Sequence, residues 1–234
     1  MPSKKIVVLT GSGVSAESGL STFRDSGGLW EGYDINEVAS IEAWNNNPEK
    51  VLEFYNLRRT QAAKALPNNA HLSLKNLETK FDVVIITQNV DDLHERAGST
   101  NIIHLHGELS KARSEHNSEE IIEIGDRTIS IGDLSKDGSQ LRPAIVWFGE
   151  MVPMIEVAAN EVRTADFLIV IGTSLSVYPA AGLIHFAKHE TQKVIIDPSN
   201  IETNISSNWR HIRKNATIGV PELVNELVNM KDIA

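Results

Sequence analysis

Short apolar runs of strand length recur along the chain at Lys5–Leu9, Val83–Thr87, Ile102–His106, Phe167–Ile171 and Val194–Ile196. They are rich in β-branched residues and nearly continuous rather than alternating, the pattern of strands buried on both faces of a parallel sheet. Between them lie stretches with helical spacing: Pro48–Leu66, Ala70–Lys80, Ile155–Ala165, Ala180–Glu190 and Pro221–Met230. This alternation predicts an open α/β fold, a parallel sheet with helices on both faces. Two segments interrupt it. Residues 31–70 are mostly helical in pattern, whereas residues 113–140 are polar, with Gly125-Asp126 and Gly132-Asp133 as turn signals around Thr128–Ile131. Together they predict a smaller inserted lobe, part helical and part a short β excursion. The larger lobe would then comprise residues 1–30, 71–112 and 141–234.

Composition narrows the picture. A chain of 234 residues can bury one sizeable core with a small lobe attached. No apolar run approaches the ~20 residues that cross a bilayer. Ile6–Leu9 is too short for a signal-peptide core, so a cytoplasmic location without a membrane partner is expected. Cysteine is absent, which removes disulfides, thiol catalysis, thiolate zinc sites and iron–sulfur clusters. A net charge of −9 argues against non-specific binding of nucleic acid, which depends on Lys and Arg neutralising phosphates. The same acidity suits a basic, lysine-bearing partner, and it is also common among cytoplasmic enzymes.

Gly11, Gly13 and Ala16 follow the first predicted strand as a G-x-G-x-x-A loop, a variant of the dinucleotide fingerprint of Rossmann-like folds. In such a loop the glycines let the backbone approach a pyrophosphate, whose charge sits at a helix N-terminus. A tight strand-to-helix turn with no ligand uses the same residues. The continuation does not suit an ordinary dehydrogenase, which would run through a helix into a strand ending in an acidic ribose binder. Ser18 to Trp30 instead reads as a long loop able to fold over a cofactor, with Phe23 shielding a reactive centre from water.

His106 ends a predicted strand and precedes Gly107, at the carboxyl edge where open α/β sheets bind ligands. With an ordinary pKa of ~6.5, a histidine there can act as a base near neutrality. His104 and His106 share one strand face and could be plain neighbours, or a metal pair with His94 or Asp91. Asn89 and Asp91 lie just past a strand and could point into one pocket; an Asn/Asp turn capping a helix near Asp92 accounts for them equally. Trp147-Phe148-Gly149 reads either as a core strand or as the wall of an apolar tunnel.

Gly11-Ser12-Gly13-Val14-Ser15-Ala16-Glu17-Ser18-Gly19 with Phe23-Arg24-Asp25 resembles the opening motif of the sirtuin family. Thr87-Gln88-Asn89-Val90-Asp91-Asp92-Leu93-His94 is similar to its second motif, and His106-Gly107 to its catalytic pair. Val146-Trp147-Phe148-Gly149-Glu150 resembles its substrate-channel motif, and Gly172-Thr173-Ser174 through Val177 its adenosine-site loop. Five motifs in order span most of the chain. The resemblance implies that NAD is the cofactor and that acylated lysines of proteins are the substrate. Nicotinamide is then released, and the acyl group leaves as O-acyl-ADP-ribose.

By the same resemblance His106 is the catalytic base, and Asn89 holds ribose or the catalytic water. Asp91 would bind the nicotinamide amide and Gln88 the ribose. Gly11, Ser12, Gly13, Ser15, Ala16, Phe23 and Arg24 would line the cofactor loop, with Gly172, Thr173 and Ser174 near a phosphate. Asp197 and Ala216 would meet the adenosine end. Val146, Phe148, Gly149, Glu150 and Val177 would hold the acyl-lysine and its peptide, partly through exposed backbone edges. The sequence departs from the family pattern at Ser21, where proline is usual, and at Asp197, where asparagine is common. The family's four zinc-binding cysteines are missing, which implies a metal-free small lobe.

Tyr55-Asn56-Leu57-Arg58 lies in the predicted helix Pro48–Leu66, with Tyr55 and Arg58 neighbours on one face. Positions three and four residues either side of Arg58 are Phe54, Tyr55, Gln61 and Ala62, none of them acidic. The pair resembles the signature of the desuccinylase and demalonylase branch of sirtuins. A guanidinium pairs with a carboxylate through two parallel hydrogen bonds and a phenol can add a third, so succinyl- or malonyl-lysine is expected to be favoured over acetyl-lysine. An ordinary solvated arginine with a tyrosine packed beneath it has the same spacing. A deacetylase, an ADP-ribosyltransferase and a noncatalytic NAD or ADP-ribose sensor are the rival readings. Oligomeric state is left open, a monomer being compatible with everything above.

Overall fold

The computed structural model describes residues 3–22, 29–30, 33–199 and 208–230, with residues 29–30 by backbone alone. The chain opens with β1 (Lys5–Thr10), the short antiparallel pair β2 (Leu29–Trp30) and β3 (Tyr33–Asp34), and the helices α1 (Ile35–Val38), α2 (Ile41–Asn46), α3 (Pro48–Lys64) and α4 (Asn69–Leu77). β4 (Asp82–Thr87), α5 (Leu93–Arg96) and β5 (Ile102–His104) follow, then β6 (Gly107–Ser114), β7 (Ile121–Glu123) and β8 (Leu141–Ile145). α6 (Ile155–Arg163), β9 (Phe167–Ile171), β10 (Gln192–Ile196), β11 (Trp209–Ile212) and α7 (Ala216–Asn229) complete the order.

Among the described residues, six parallel strands form the main sheet in the order β11-β10-β9-β1-β4-β5. The nearly continuous apolar runs are explained by burial on both faces. Ile6, Val8, Val83, Ile85 and Ile169 pack with α4 and α7. Their alternates Val7, Leu9, Val84, Ile86 and Leu168 pack with α6 and the 180–186 segment. Each such side chain contributes about 1.5–3 kcal/mol on burial, and because both faces are apolar it is the fit of side chains into the two helical layers that distinguishes one register from another. The expected α/β architecture is the observed one.

A second sheet, antiparallel and three-stranded in the order β7-β6-β8, packs on α1–α3 around a third core that includes Trp44, Phe54, Tyr55, Leu109 and Trp147. Asn56 and Arg59 of α3 help to dock it: Arg59 Nε donates to the Leu109 carbonyl at 2.6 Å. Asn56 also explains why Thr128–Ile131 is not the strand of this excursion. Its amide accepts the Ile129 N–H (2.9 Å) and donates to the Ile129 carbonyl (2.8 Å), taking the place of a partner strand.

Two further expectations are corrected, and one strand is added to those the sequence predicts. Ala180–Glu190 is a 3-10 segment, Ala180–Phe186, whose buried Ala180 and Leu183 recur every three residues and which carries Gly182 at its centre. The last helix begins at Ala216 rather than Pro221, because Glu17 accepts the Thr217 N–H (3.3 Å) and hydroxyl (2.7 Å) and so caps it from the far end of the sequence. The edge strand β11 carries Arg210 and His211 in its Trp-Arg-His-Ile run and gives no apolar signal. No helix among the described residues is long and apolar enough to cross a membrane.

The small sheet carries its own clasp. The Ser114 hydroxyl, at the end of β6, donates to Asp137 Oδ2 at 2.7 Å and accepts the N–H groups of His116 and Asn117. Asp137 Oδ1 accepts from the Ser139 N–H at 2.8 Å and from the Ser135 hydroxyl. The hydroxyls of Ser135 and Ser114, then the Ser139 N–H, hold the Asp137 carboxyl well below the usual carboxylate range, so the clasp persists into mild acid. Asp137→Ala is expected to speed amide exchange at residues 114–117 and 135–141 while leaving β1 and β4 protected. Hydrogen exchange read by mass spectrometry checks this, and unchanged protection at 114–117 would contradict the clasp.

Candidate active site

All six strands of the main sheet run parallel, so the loops after β1, β4 and β9 leave the same edge. β1 lies between β4 and β9, the place where the chain order reverses and open sheets form a crevice. The loop after β1 leans toward β9: Gly11 N–H donates to the Ile171 carbonyl (3.0 Å) and Gly13 N–H to that of Gly172 (2.9 Å). A Cβ on Gly13 would sit 2.7 Å from Gly172 Cα, and one on Gly11 would sit 2.7 Å from Thr173 Cβ. Gly172 itself has φ of 59°, which favours glycine. These glycines therefore serve the contact between two loops, whereas the sequence suggests backbone approach to a pyrophosphate. Two 3-10 turns, Ser12–Val14 and Ala16–Ser18, stand where the fingerprint would open a helix.

A cleft of about 220 Å³ opens at this edge. Gly11, Ser12, Ser15, Gln88, Asn89, Asp91, His106, Gly172, Thr173 and Ser174 line it on the side of the main sheet. Tyr55 and Arg58 of α3 and Val146 to Glu150 line it from the small-sheet side, and Val177 from the segment after β9. Residues far apart in sequence thus converge as expected. Gly13, Ala16, Asp197 and Ala216 do not reach the lining. Gly13 is packed on Gly172, and Asp197 accepts the Ser199 N–H and hydroxyl within its own turn. Phe23 and Arg24 lie outside the described residues. From Gly11 to Ser15 and from Gly172 to Ser174 the lining holds backbone and hydroxyl groups and no carboxylate, a surface that suits an anionic diphosphate. Among the described residues no group of three or more His, Asp and Glu side chains is placed to hold a metal ion.

His106 lies two residues past the end of β5, beyond Leu105, whose N–H still bonds the Thr87 carbonyl. Its Nδ1 lies 3.0 Å from the Gln88 carbonyl oxygen; a carbonyl only accepts, so Nδ1 carries the proton and Nε2 is the basic nitrogen. Burial pushes the ring below the ordinary histidine pKa, against the raising effect of the Gln88 bond, and it stays neutral at pH 7. Gly107 makes this placement possible. It has φ of 80°, and a Cβ there would fall 1.9 Å from the Ala144 carbonyl oxygen. The His106 carbonyl in turn accepts the Val146 N–H at 2.9 Å, tying this loop to the residues after β8.

Asn89 donates from Nδ2 to Ser15 Oγ at 3.0 Å. Asp91 lines the cleft and accepts the Leu93 N–H at 3.2 Å in a turn that leads into α5, whose N-cap, Asp92, makes no side-chain cap bond. Burial raises the Asp91 carboxyl, opposed by the Leu93 N–H, the Ser15 hydroxyl and the charge of His104. Beneath this wall, His71 Nδ1 accepts the Asn68 N–H (3.2 Å) in a capping box, leaving Nε2–H to meet Ser15 Oγ at 3.5 Å. His94 sits 4.9 Å from it, ring to ring, and bonds Thr10. Burial holds His71 down to about 4 and His94 well below the ordinary value.

Glu150 proves to be an organiser of the channel wall. Its carboxylate accepts from Arg142 (2.8 and 3.0 Å), Arg113 (2.8 Å) and the Trp147 N–H (2.8 Å). The Arg142 guanidinium lies 3.3 Å over the Trp147 ring. Burial opposes charge on Glu150, but these donors outweigh it and keep the carboxyl below its ordinary value. Tyr55 packs on Phe54 (5.0 Å) and Trp147 (6.1 Å), and burial drives its hydroxyl pKa up, so it remains a donor at neutral pH. Sequence reasoning missed Arg142, Arg113 and His71. The Asn68-Asn69-Ala70-His71 cap was a readable signal for the last; the two arginines gave none, because their partner is fixed only by the fold.

A neutral histidine over a crevice at the strand-order switch defines a nucleotide-type site of an open α/β protein. The chain belongs to the Sir2 family, whose model matches residues 11–179. It is 50% identical over 230 residues to a protein of Bacteroides thetaiotaomicron called NAD-dependent protein deacylase, covering 96% of this chain and 98% of that one. A Helicobacter pylori protein of the same name is 50% identical over 227 residues, 97% of each chain. Among solved structures, a Sir2 homolog–NAD complex superposes with a TM-score of 0.85 at 42% identity, covering 97% of this chain and 90% of that one. A Sir2–p53 peptide–NAD+ structure superposes with a TM-score of 0.80 at 29% identity, covering 97% and 95%.

The neutral burial of His71 and His94 makes the fold less stable in acid, a loss that the raised pKa of His104 partly offsets. Both titrate lower in the folded than in the unfolded chain, so the unfolded chain takes up protons first. The destabilisation begins as pH falls through about 6.5 and, for His71, is complete near 4, at up to about 1.4 kcal/mol per pH unit for each histidine. Thermal melts are expected to drop between pH 7.5 and 5, less steeply in His94→Gln. An identical slope in that variant would contradict a buried neutral His94.

Proposed function

We propose that this chain is an NAD-dependent protein-lysine deacylase that removes succinyl and malonyl groups in preference to acetyl, working in the cytoplasm. The observation that carries the reading is the neutral His106, its basic Nε2 left available by the Nδ1 bond to Gln88, in a cleft whose other side presents Tyr55 and Arg58. NAD+, when bound, would supply its nicotinamide ribose as the acyl acceptor, so that acyl-lysine, NAD+ and one water would give nicotinamide, O-acyl-ADP-ribose and free lysine. His106 takes a proton from a ribose hydroxyl at Nε2, and the Gln88 carbonyl steadies the imidazolium that forms. Asn89 and Ser15 hold the ribose or water, and Asp91 holds the carboxamide. Ser12, Thr173 and Ser174 supply hydroxyls to the phosphates. Trp147 and Phe148 exclude water around the lysine stem. Gly13 and Ala16 support the loop from behind, and Asp197 and Ala216 would meet the adenosine end. A metal-free small lobe completes the assignment.

The acyl preference follows from charge. Arg58 can pair with a carboxylate through two parallel hydrogen bonds, and Tyr55 stays protonated to add another. A neutral acetyl group offers those donors no carboxylate. The names of the relatives support deacylation and are silent on the acyl group.

Matched acetyl, malonyl and succinyl peptides with NAD+ test the reading. The succinyl and malonyl forms are expected to show the higher kcat/KM, and Arg58→Met to lower their values by about 10- to 100-fold while sparing acetyl. Equal kcat/KM on acetyl and succinyl versions of one peptide would overturn the preference. Modified protein in place of O-acyl-ADP-ribose would instead identify a transferase. The base has its own signature. Because the folded-state pKa of His106 lies below ~6.5, kcat/KM is expected to hold through neutrality and fall only at lower pH. His106→Tyr should remove at least ~100-fold of the activity together with that acid limb. A limb that survives in His106→Tyr would assign the base elsewhere.

A further inference from the structure

His104 and His106 grip successive carbonyls of the loop after β4. His106 Nδ1 meets the Gln88 carbonyl, and His104 Nδ1 meets that of Asn89 at 3.2 Å. Only His104 has a second acceptor: its Nε2 lies 2.7 Å from Glu95 Oε1. A carbonyl and a carboxylate can only accept, so both nitrogens carry protons and the ring is an imidazolium. Its side chain is 8% exposed, so this is a nearly buried unit of positive charge directly behind the cleft wall.

The surroundings of His104 favour that charge. α5 presents Glu95 and the neutral, buried His94. β6 presents Glu108, itself paired with Lys111 at 2.6 Å, and Lys111 also reaches Glu123 of β7 at 3.4 Å. The loop after β4 presents Asp91, which feels the His104 charge. Burial alone would lower the His104 pKa; the Glu95 hydrogen bond and charge, then Glu108, outweigh it and raise it. His106, with a similar burial and no carboxylate partner, moves the other way. One carboxylate separates the two behaviours.

We propose that His104 is a positioning residue: a charged imidazolium, braced by Glu95, that fixes the Asn89 main chain and supplies the positive charge opposite Asp91. It touches neither substrate nor cofactor and acts through those two neighbours. The inference rests on the deacylase reading for its effect on turnover, but the ionisation it requires does not.

The experiment uses the full chain with ¹³C,¹⁵N-labelled histidine and aspartate, as wild type, Glu95→Gln, His104→Leu and His104→Lys. Both ring nitrogens of wild-type His104 are expected to stay protonated near neutrality, and the ring to become neutral there in Glu95→Gln. The Asp91 carboxyl should titrate at higher pH in His104→Leu than in wild type, and His104→Lys should restore much of the difference. For peptide turnover, Glu95→Gln should lose about tenfold in kcat/KM at pH near 8 and less near 6, since acid recharges the ring. Glu95 is part-exposed, so this variant reports even if His104→Leu folds poorly. A wild-type His104 that is neutral at pH 7 overturns the proposal, as does a Glu95→Gln pH profile parallel to wild type. Failure of wild type to turn over any acyl peptide would count against the deacylase reading alone, with the NMR titrations still deciding the charge and its action on Asp91.

Discussion

The close approach of two glycine loops sets the geometry of the site. Gly13 donates to Gly172 with no room for a side chain between them, so the loop after β1 is drawn toward β9 and away from β4. The gap this leaves is where Gln88, Asn89, Asp91 and His106 meet. The sheet itself cannot relax to close it. Its central strands are buried on both faces, and their pairing register is held by apolar contacts on α4 and α7 on one side and α6 on the other. Loops anchored to such strands keep their positions, which is the preorganisation a reacting group needs.

Within that frame, one hydrogen-bond acceptor decides what each imidazole can do. His104 and His106 are two residues apart, both largely buried, and each uses Nδ1 to hold a carbonyl of the same loop. Glu95 adds a second acceptor for His104 and none for His106. Burial then disfavours charge on His106, while the carboxylate secures it on His104. A neutral base beside a fixed cation is a better arrangement than two bases of equal strength, since two would compete for one proton. The buried His71 and His94 stay uncharged for the reason that governs His106, and His71 supports Asn89 through Ser15.

Much of this was legible in the sequence because it depends on local pattern. Short, β-branched, continuous apolar runs such as Phe167–Ile171 have the pattern of strands covered on both faces, and five motifs in order marked the family. Loop residues next to strand ends, Asn89, Asp91 and Ser174 among them, followed from strand placement. What escaped depends on contacts between distant segments. Nothing near Thr128–Ile131 announces that the Asn56 side chain will replace a strand there. Glu17 moves the start of α7 five residues ahead of Pro221 from the opposite end of the chain. Arg142 precedes a proline in an unremarkable strand and becomes important only when Glu150 folds back to it and Trp147 slides beneath it. The glycine loop was legible from its spacing; that it also packs one loop on another was not.

The separation of cores bears on how the acyl end of such a site can differ from its dinucleotide end. Tyr55 and Trp147 belong to the third cluster, built from α1–α3 and the small sheet, which shares no buried residue with the two clusters flanking the main sheet. A change at Tyr55 or Arg58 therefore repacks against Phe54, Trp147 and their neighbours and leaves the Gly13–Gly172 contact and the His106 loop where they are. The coupling that remains includes the backbone bonds from Val146 to the His106 carbonyl and from Leu109 to the Val90 carbonyl, and the fit of Gly107 against Ala144. Those links fix the distance between the base and the channel but carry no information about the acyl group. In the proposed deacylase, chemistry and acyl selection thus rest on separately packed supports, so substitution at position 58 can alter selection without dismantling the base.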